Sequence, residues 1–76
     1  MTLDNAAHKA ALLFTMVGAK AIKIKNGKIK IISRVTAFKI KDGQWDIAIF
    51  FQHKNKTDIH TPDCFLSDFA REYQVV

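Results

Sequence analysis

Eight basic side chains, Lys20, Lys23, Lys25, Lys28, Lys30, Arg34, Lys39 and Lys41, fall within 22 residues that contain no acid. A run of this kind can neutralise an anionic surface. Phosphate is the common counterpart, and contacts that follow a nucleic-acid backbone are independent of sequence and strongly salt-dependent. The same residues also suit a second purpose, because lysine on an edge hairpin discourages edge-to-edge pairing, and lysine rather than arginine predominates here. No aromatic residue interleaves the five lysines from Lys20 to Lys30, so the run lacks the rings on which single-stranded bases stack. The net charge of +5 is unevenly divided: residues 1–41 carry nine basic and one acidic side chain, whereas residues 42–76 carry three basic and six acidic ones.

Cys64, with His60 four residues earlier and His53 further upstream, is the one arrangement that could make a nucleophile. An oxyanion hole, an orienting group and a substrate pocket would have to come from the same short chain, so the expectation is a non-enzymatic protein with Cys64 as a small apolar residue. His53, His60, Cys64 and Asp58 or Asp63 are zinc-ligand types, but they lack the paired spacings of a specific zinc site, and no metal or cofactor is expected. The three glycines are accounted for by two turns and a helix stop, leaving no phosphate-binding loop.

Seventy-six residues allow one domain with one small core, spanning 1–76. Apolar residues at 49% and charged residues at 25% match a soluble globular domain and exclude disordered, collagen-like and disulfide-rich classes. A single cysteine forms no internal disulfide, so a reducing cytoplasmic location is expected. The apolar run Ala10 to Val17 followed by Val17-Gly18-Ala19 has features of a signal peptide. Its eight residues are short for that role, Asp4 precedes it, and no stretch approaches a membrane span, so no membrane partner is expected.

Leu3, Ala6, Ala7, Ala10, Leu13, Phe14 and Val17 recur at helical spacing, predicting a helix over 3–17 with Thr2 as N-cap and Gly18 as stop. From Ala21 the period becomes two. Asn26-Gly27 between alternating runs predicts a two-residue hairpin turn that pairs Ile24 with Ile29 and Lys23 with Lys30, isoleucines inward. Asp42-Gly43 predicts a second, pairing Ile40 with Trp45 and Phe38 with Ile47, with Phe38, Ile40, Trp45, Ile47, Ile49 and Phe51 inward. The strand shared by the two hairpins then has opposite parity at its ends, which demands a bulge or bend within Ile32 to Ala37 and a strongly coiled sheet.

On the opposite face of the second hairpin, Val35 pairs with Phe50 and Ala37 with Ala48. This apolar patch is either covered within the chain or is an interface with a second copy or another protein. Gln52 to His60 reads as polar and turn-like, with Thr57-Asp58-Ile59 able to form a short strand. Thr61-Pro62-Asp63 signals a second helix ending near Tyr73, with Phe65, Leu66, Phe69 and Tyr73 on one face. The expected class is α+β, a single small domain of α-β-β-β-α order, with a three-stranded antiparallel coiled sheet packed with two helices.

That order resembles double-stranded-RNA-binding domains, but the second helix of that family opens with phosphate-gripping lysines, and here it opens Thr61-Pro62-Asp63. Residues 3–53, a helix followed by strongly bent strands, resemble Sm-like barrels, although the glycine that lets the strand curve there has no counterpart between Lys28 and Lys41. Neither likeness fixes a function. The leading expectation is a small binding protein that presents a Lys-rich hairpin to nucleic acid or a nucleoprotein complex. The alternative is an inhibitor or adaptor of the phage or mobile-element type, anti-CRISPR-like or anti-restriction-like, acting by protein contacts through Val35, Ala37, Ala48 and Phe50.

Overall fold

The computed structural model describes residues 1–55 and 57–76. Helix α1 (Leu3–Leu12) starts where the capping signal places it, with Thr2 Oγ1 accepting the Asn5 amide at 3.2 Å and Asp4 in the first turn. The helix expected over 3–17 is divided. After Leu12 it tightens into a 3-10 turn over Leu13–Met16 and stops at Gly18, whose φ of +90° suits a residue without a Cβ. Of the expected apolar stripe, Ala6 and Ala10 are buried and Leu13 and Val17 half-buried, whereas Phe14 is 67% exposed.

Five strands follow: β1 (Lys20–Lys23), β2 (Ile29–Lys39), β3 (Trp45–Phe51), β4 (Cys64–Phe65) and β5 (Tyr73–Val75), with helix α2 (Leu66–Glu72) between the last two. They form one antiparallel sheet of order β4-β3-β2-β1-β5, so the protein is α+β with two helices, and the sheet has five strands rather than three. Strands of two and three residues are too short to show alternation in sequence. Thr57-Asp58-Ile59 is not one of them. The edges β4 and β5 are joined only by α2, which advances about 11 Å, whereas four strand spacings on a flat sheet measure about 19 Å. The sheet is therefore coiled until its edges approach each other.

The bulge expected within Ile32 to Ala37 is present: the register shifts between Ile32 and Arg34, leaving Ser33 as the extra residue. The change of phase along β2 thus falls at this bulge. Both ends of β2, however, face opposite to expectation. The turn after β2 contains three residues, Lys41 to Gly43, closed by the Ile40 amide donating to the Gln44 carbonyl, with Asp42 and Gly43 at φ +63° and +71°. That extra residue pairs Val35 with Ile49 and Ala37 with Ile47, turning Val35 and Ala37 inward and Phe38 outward.

Because one bulge separates the halves of β2, the first hairpin inverts as well. Its loop spans Ile24 to Gly27, with the Asn26 side chain accepting the Lys28 amide and only Gly27 at positive φ, so it is not the two-residue turn expected. Ile22 pairs with Ile29, and Ala21 and Ile32 point inward. The core joins these two to Ala6, Ala10, Val35, Ile47, Ile49, Phe51 and Phe69, which places both helices on one sheet face.

Helix α2 begins later than its apparent start signal. Asp63 Oδ2 accepts the Phe51 amide at 2.7 Å, and the Asp63 amide donates to the Ile49 carbonyl, so residues 63–65 are bound to β3 before the helix opens at Leu66. The α-β-β-β-α order is corrected to α-β-β-β-β-α-β, and the double-stranded-RNA-binding likeness loses its basis.

Candidate nucleic-acid interface

The structure divides the eight basic residues into three groups. Lys20, Lys23, Lys25, Lys28 and Lys30 lie on the β1–β2 hairpin, where Lys20, Lys25 and Lys28 are exposed and Lys23 and Lys30 half-buried. Lys23 and Lys28 sit opposite each other, joined by the Lys23 amide donating to the Lys28 carbonyl at 2.8 Å. Like charges directly across a hairpin repel. Among the described residues, the only carboxylate within ion-pair distance of these five lysines is that of Glu72, 3.9 Å from Lys23, whose ammonium also lies 5.9 Å from the Tyr73 ring centre. Lys39 and Lys41 are at the far end of β2, about 30 Å away along the strand. They belong to a different surface.

Arg34 is turned to internal use. It lies opposite Phe50 in the register, its guanidinium stacks 4.1 Å from the ring centre, and Nη2 donates to the Ile59 carbonyl at 3.2 Å. Phe50 is consequently only 5% exposed, although both helices lie on the other face. Phe65 and Phe38 meet edge to face at 5.8 Å, and Phe65 lies opposite Ala48 in the register. The expected patch of Val35, Ala37, Ala48 and Phe50 is therefore corrected: Val35 and Ala37 line the core, and Ala48 and Phe50 are buried on the outer face.

We predict that Arg34→Ala destabilises the fold by about 1–2 kcal/mol by uncovering Phe50 and releasing the loop at Ile59. Hydrogen exchange checks it by faster exchange confined to 52–62. Uniform protection across that segment would refute the cover.

A cavity of about 560 Å³ opens beside this cover, bounded by Arg34, Phe50, His53, Asp58, Ile59 and Asp63. His53 Nε2 lies 2.7 Å from Asp63 Oδ1, and Asp58 accepts from both the His60 amide and the Thr61 hydroxyl. These contacts organise the loop before β4. No group of three His, Cys, Asp or Glu side chains converges as a metal site among the described residues. No protein-family model matches this chain, nor does any curated protein or solved structure.

Cys64 is opposite Ile49 in the register and packs on the core, not in the first turn of a helix. Burial, then the charges of Asp63, Glu72 and Asp68, push its thiol up from 9.0 to about 11, so it stays protonated at neutral pH, contrary to what a nucleophile requires. Between these values the folded state holds a proton that the unfolded state has lost. Stability therefore falls as pH rises from about 9 towards 11. Burial also raises the Tyr73 hydroxyl, with the same sign. Urea midpoints at neutral and alkaline pH should show this decline, and Cys64→Ala should reduce it; a flat profile would contradict the raised thiol.

The residues that sequence reasoning missed are Ile24 and Ile29, 64% and 59% exposed on the lysine hairpin. Their alternation was visible, but its direction was set by the turn after β2. No helix among the described residues is long and apolar enough to cross a membrane.

Proposed function

We propose that this chain is a non-enzymatic binding protein whose working surface is the β1–β2 hairpin, presenting Lys20, Lys23, Lys25, Lys28 and Lys30 to the phosphate backbone of nucleic acid, alone or within a nucleoprotein complex. The observation that carries the reading is the concentration of five ammonium groups on one hairpin where, among the described residues, only the Glu72 carboxylate lies within ion-pair distance. β1 and β2 are flanked by β5 and β3, so their lysines do not guard a sheet edge, and opposing Lys23 and Lys28 costs stability that an anionic partner would offset. Lys39 and Lys41 would approach a second segment of a long polyanion, and Arg34 serves as the cover of Phe50. The reading places the protein at a cytoplasmic nucleic acid.

Fluorescence anisotropy with a labelled duplex tests it: binding at low salt that weakens steeply as salt rises supports the reading, and no binding at low salt overturns it. The reading as a phage-type inhibitor acting by protein contacts loses its original surface, because Val35, Ala37, Ala48 and Phe50 are not an exposed patch.

A further inference from the structure

We propose that the cavity between Arg34 and the loop before β4 receives an unpaired nucleobase, which stacks on the Arg34 guanidinium while Lys20 holds the backbone that carries it. The inference rests on the nucleic-acid reading above and names what the strand presents to this face of the sheet. The cavity, about 560 Å³, has the size of a small-ligand pocket, and its polar wall is made by Ser33, Arg34, Gln52, His53, Asp58 and Asp63. One face of the exposed guanidinium covers Phe50 at 4.1 Å. Among the described residues no second ring covers the other face and no carboxylate pairs with Arg34, whose hydrogen bond runs from Nη2 to the Ile59 carbonyl. Ser33 is the bulge residue, outside the β2–β3 pairing. Lys20 lies opposite Ile31 on the same outer face, and the Gln52 amide, at the cavity wall, donates to the Ile31 carbonyl at 2.8 Å. Arg34 follows Ile31 along β2 by roughly 10 Å, so a backbone held on Lys20 passes beside the cavity.

The charges of the lining select the class of ligand. An anion would meet the Asp58 and Asp63 carboxylates, and a cation would meet Arg34. A neutral, flat group with donors and acceptors along its rim suits all three, and a nucleobase has that form, with donors for a carboxylate and acceptors for a guanidinium or hydroxyl. Arginine planes serve as stacking platforms for unpaired bases, so Arg34 supplies the platform that the lysine run lacks. Asp63 accepts from the Phe51 amide and meets His53, and Asp58 accepts from the His60 amide and the Thr61 hydroxyl, so both carboxylates are fixed in place before a ligand arrives. A base stacked within a duplex has no free face to lay on Arg34; an unpaired one does.

The test uses the full chain and a labelled DNA duplex of about 20 base pairs extended on one strand by about four nucleotides, either ordinary or abasic, so that the two overhangs carry the same phosphates and differ only in their bases. By anisotropy the ordinary overhang should bind about tenfold more tightly than the abasic one. Arg34→Lys keeps the charge and loses the plane, so it should abolish that difference and leave the salt slope unchanged. Because Arg34 also covers Phe50, hydrogen exchange on the native protein gives a second reading: residues 57–63 should exchange more slowly with the ordinary overhang than with the abasic one. Equal affinity for the two overhangs, equal protection by them, or a tenfold difference retained in a folded Arg34→Lys variant overturns the pocket and leaves the hairpin reading standing. A free nucleoside monophosphate bound as tightly as the overhang overturns the strand as the source of the base. Absence of binding by either duplex at low salt removes the functional reading itself.

Discussion

Ile49→Ala is expected to remove about 2–5 kcal/mol of stability and to lower the urea midpoint accordingly. Ile49 has no accessible surface and lies at the centre of β3, opposite Val35 on one side and Cys64 on the other. Truncation leaves a cavity bounded by strands on both sides, which cannot move inward without breaking their ladders. A chain of 76 residues has a total stability of about 4–11 kcal/mol, so a single core truncation is a large share of it. Urea unfolding followed by circular dichroism and Trp45 fluorescence measures the effect. Ile29→Ala provides the contrast: 59% exposed, it should change stability by less than about 0.5 kcal/mol. A reversed ranking would mean that the hairpin faces the other way.

Reversing Lys20, Lys25 and Lys28 to glutamate is expected to weaken duplex binding by at least about 100-fold while leaving the fold intact. These three are exposed, so their replacement disturbs no packing and relieves repulsion across the hairpin. Three reversals change the charge by six, taking the protein from +5 to −1. If all five hairpin lysines meet phosphates, the logarithmic salt slope is about −4.5, equivalent to about 500-fold between roughly 50 and 200 mM salt. The variant should show neither the affinity nor the slope. Undiminished affinity in a folded variant would move the binding surface away from the hairpin, with Lys39 and Lys41 as the next candidates.

Local patterns in the chain identified what local chemistry governs. Thr2 caps α1 through the hydrogen bond its residue type implies, and Gly18 stops the helix with the positive φ that glycine tolerates. The parity conflict in β2 located the bulge within a few residues, because a strand with two apolar faces must change phase somewhere. The inward face of β3 was also legible, with Trp45, Ile47, Ile49 and Phe51 alternating without interruption. Misreadings arose where a tertiary partner outbid a local signal. Thr61-Pro62-Asp63 has the form of a helix start, yet the Asp63 carboxylate is engaged by the Phe51 amide and His53, so it belongs to the β3–β4 junction.

The candidate site divides in the same way. That the first half of the chain is basic, the second acidic, and the lysines concentrated on a hairpin follows from residue identity and a period of two, which no packing alters. Which isoleucines are buried does not. One additional residue in the Lys41 to Gly43 turn slips the β2–β3 register by one position, and through the single bulge that slip inverts both ends of β2. It turns Val35 and Ala37 inward, sends Arg34 to cover Phe50, and leaves Ile24 and Ile29 exposed. Alternation along a strand defines two faces but not which of them points inward; the length of the turn after β2 and the packing of α1 and α2 against one side make that choice together.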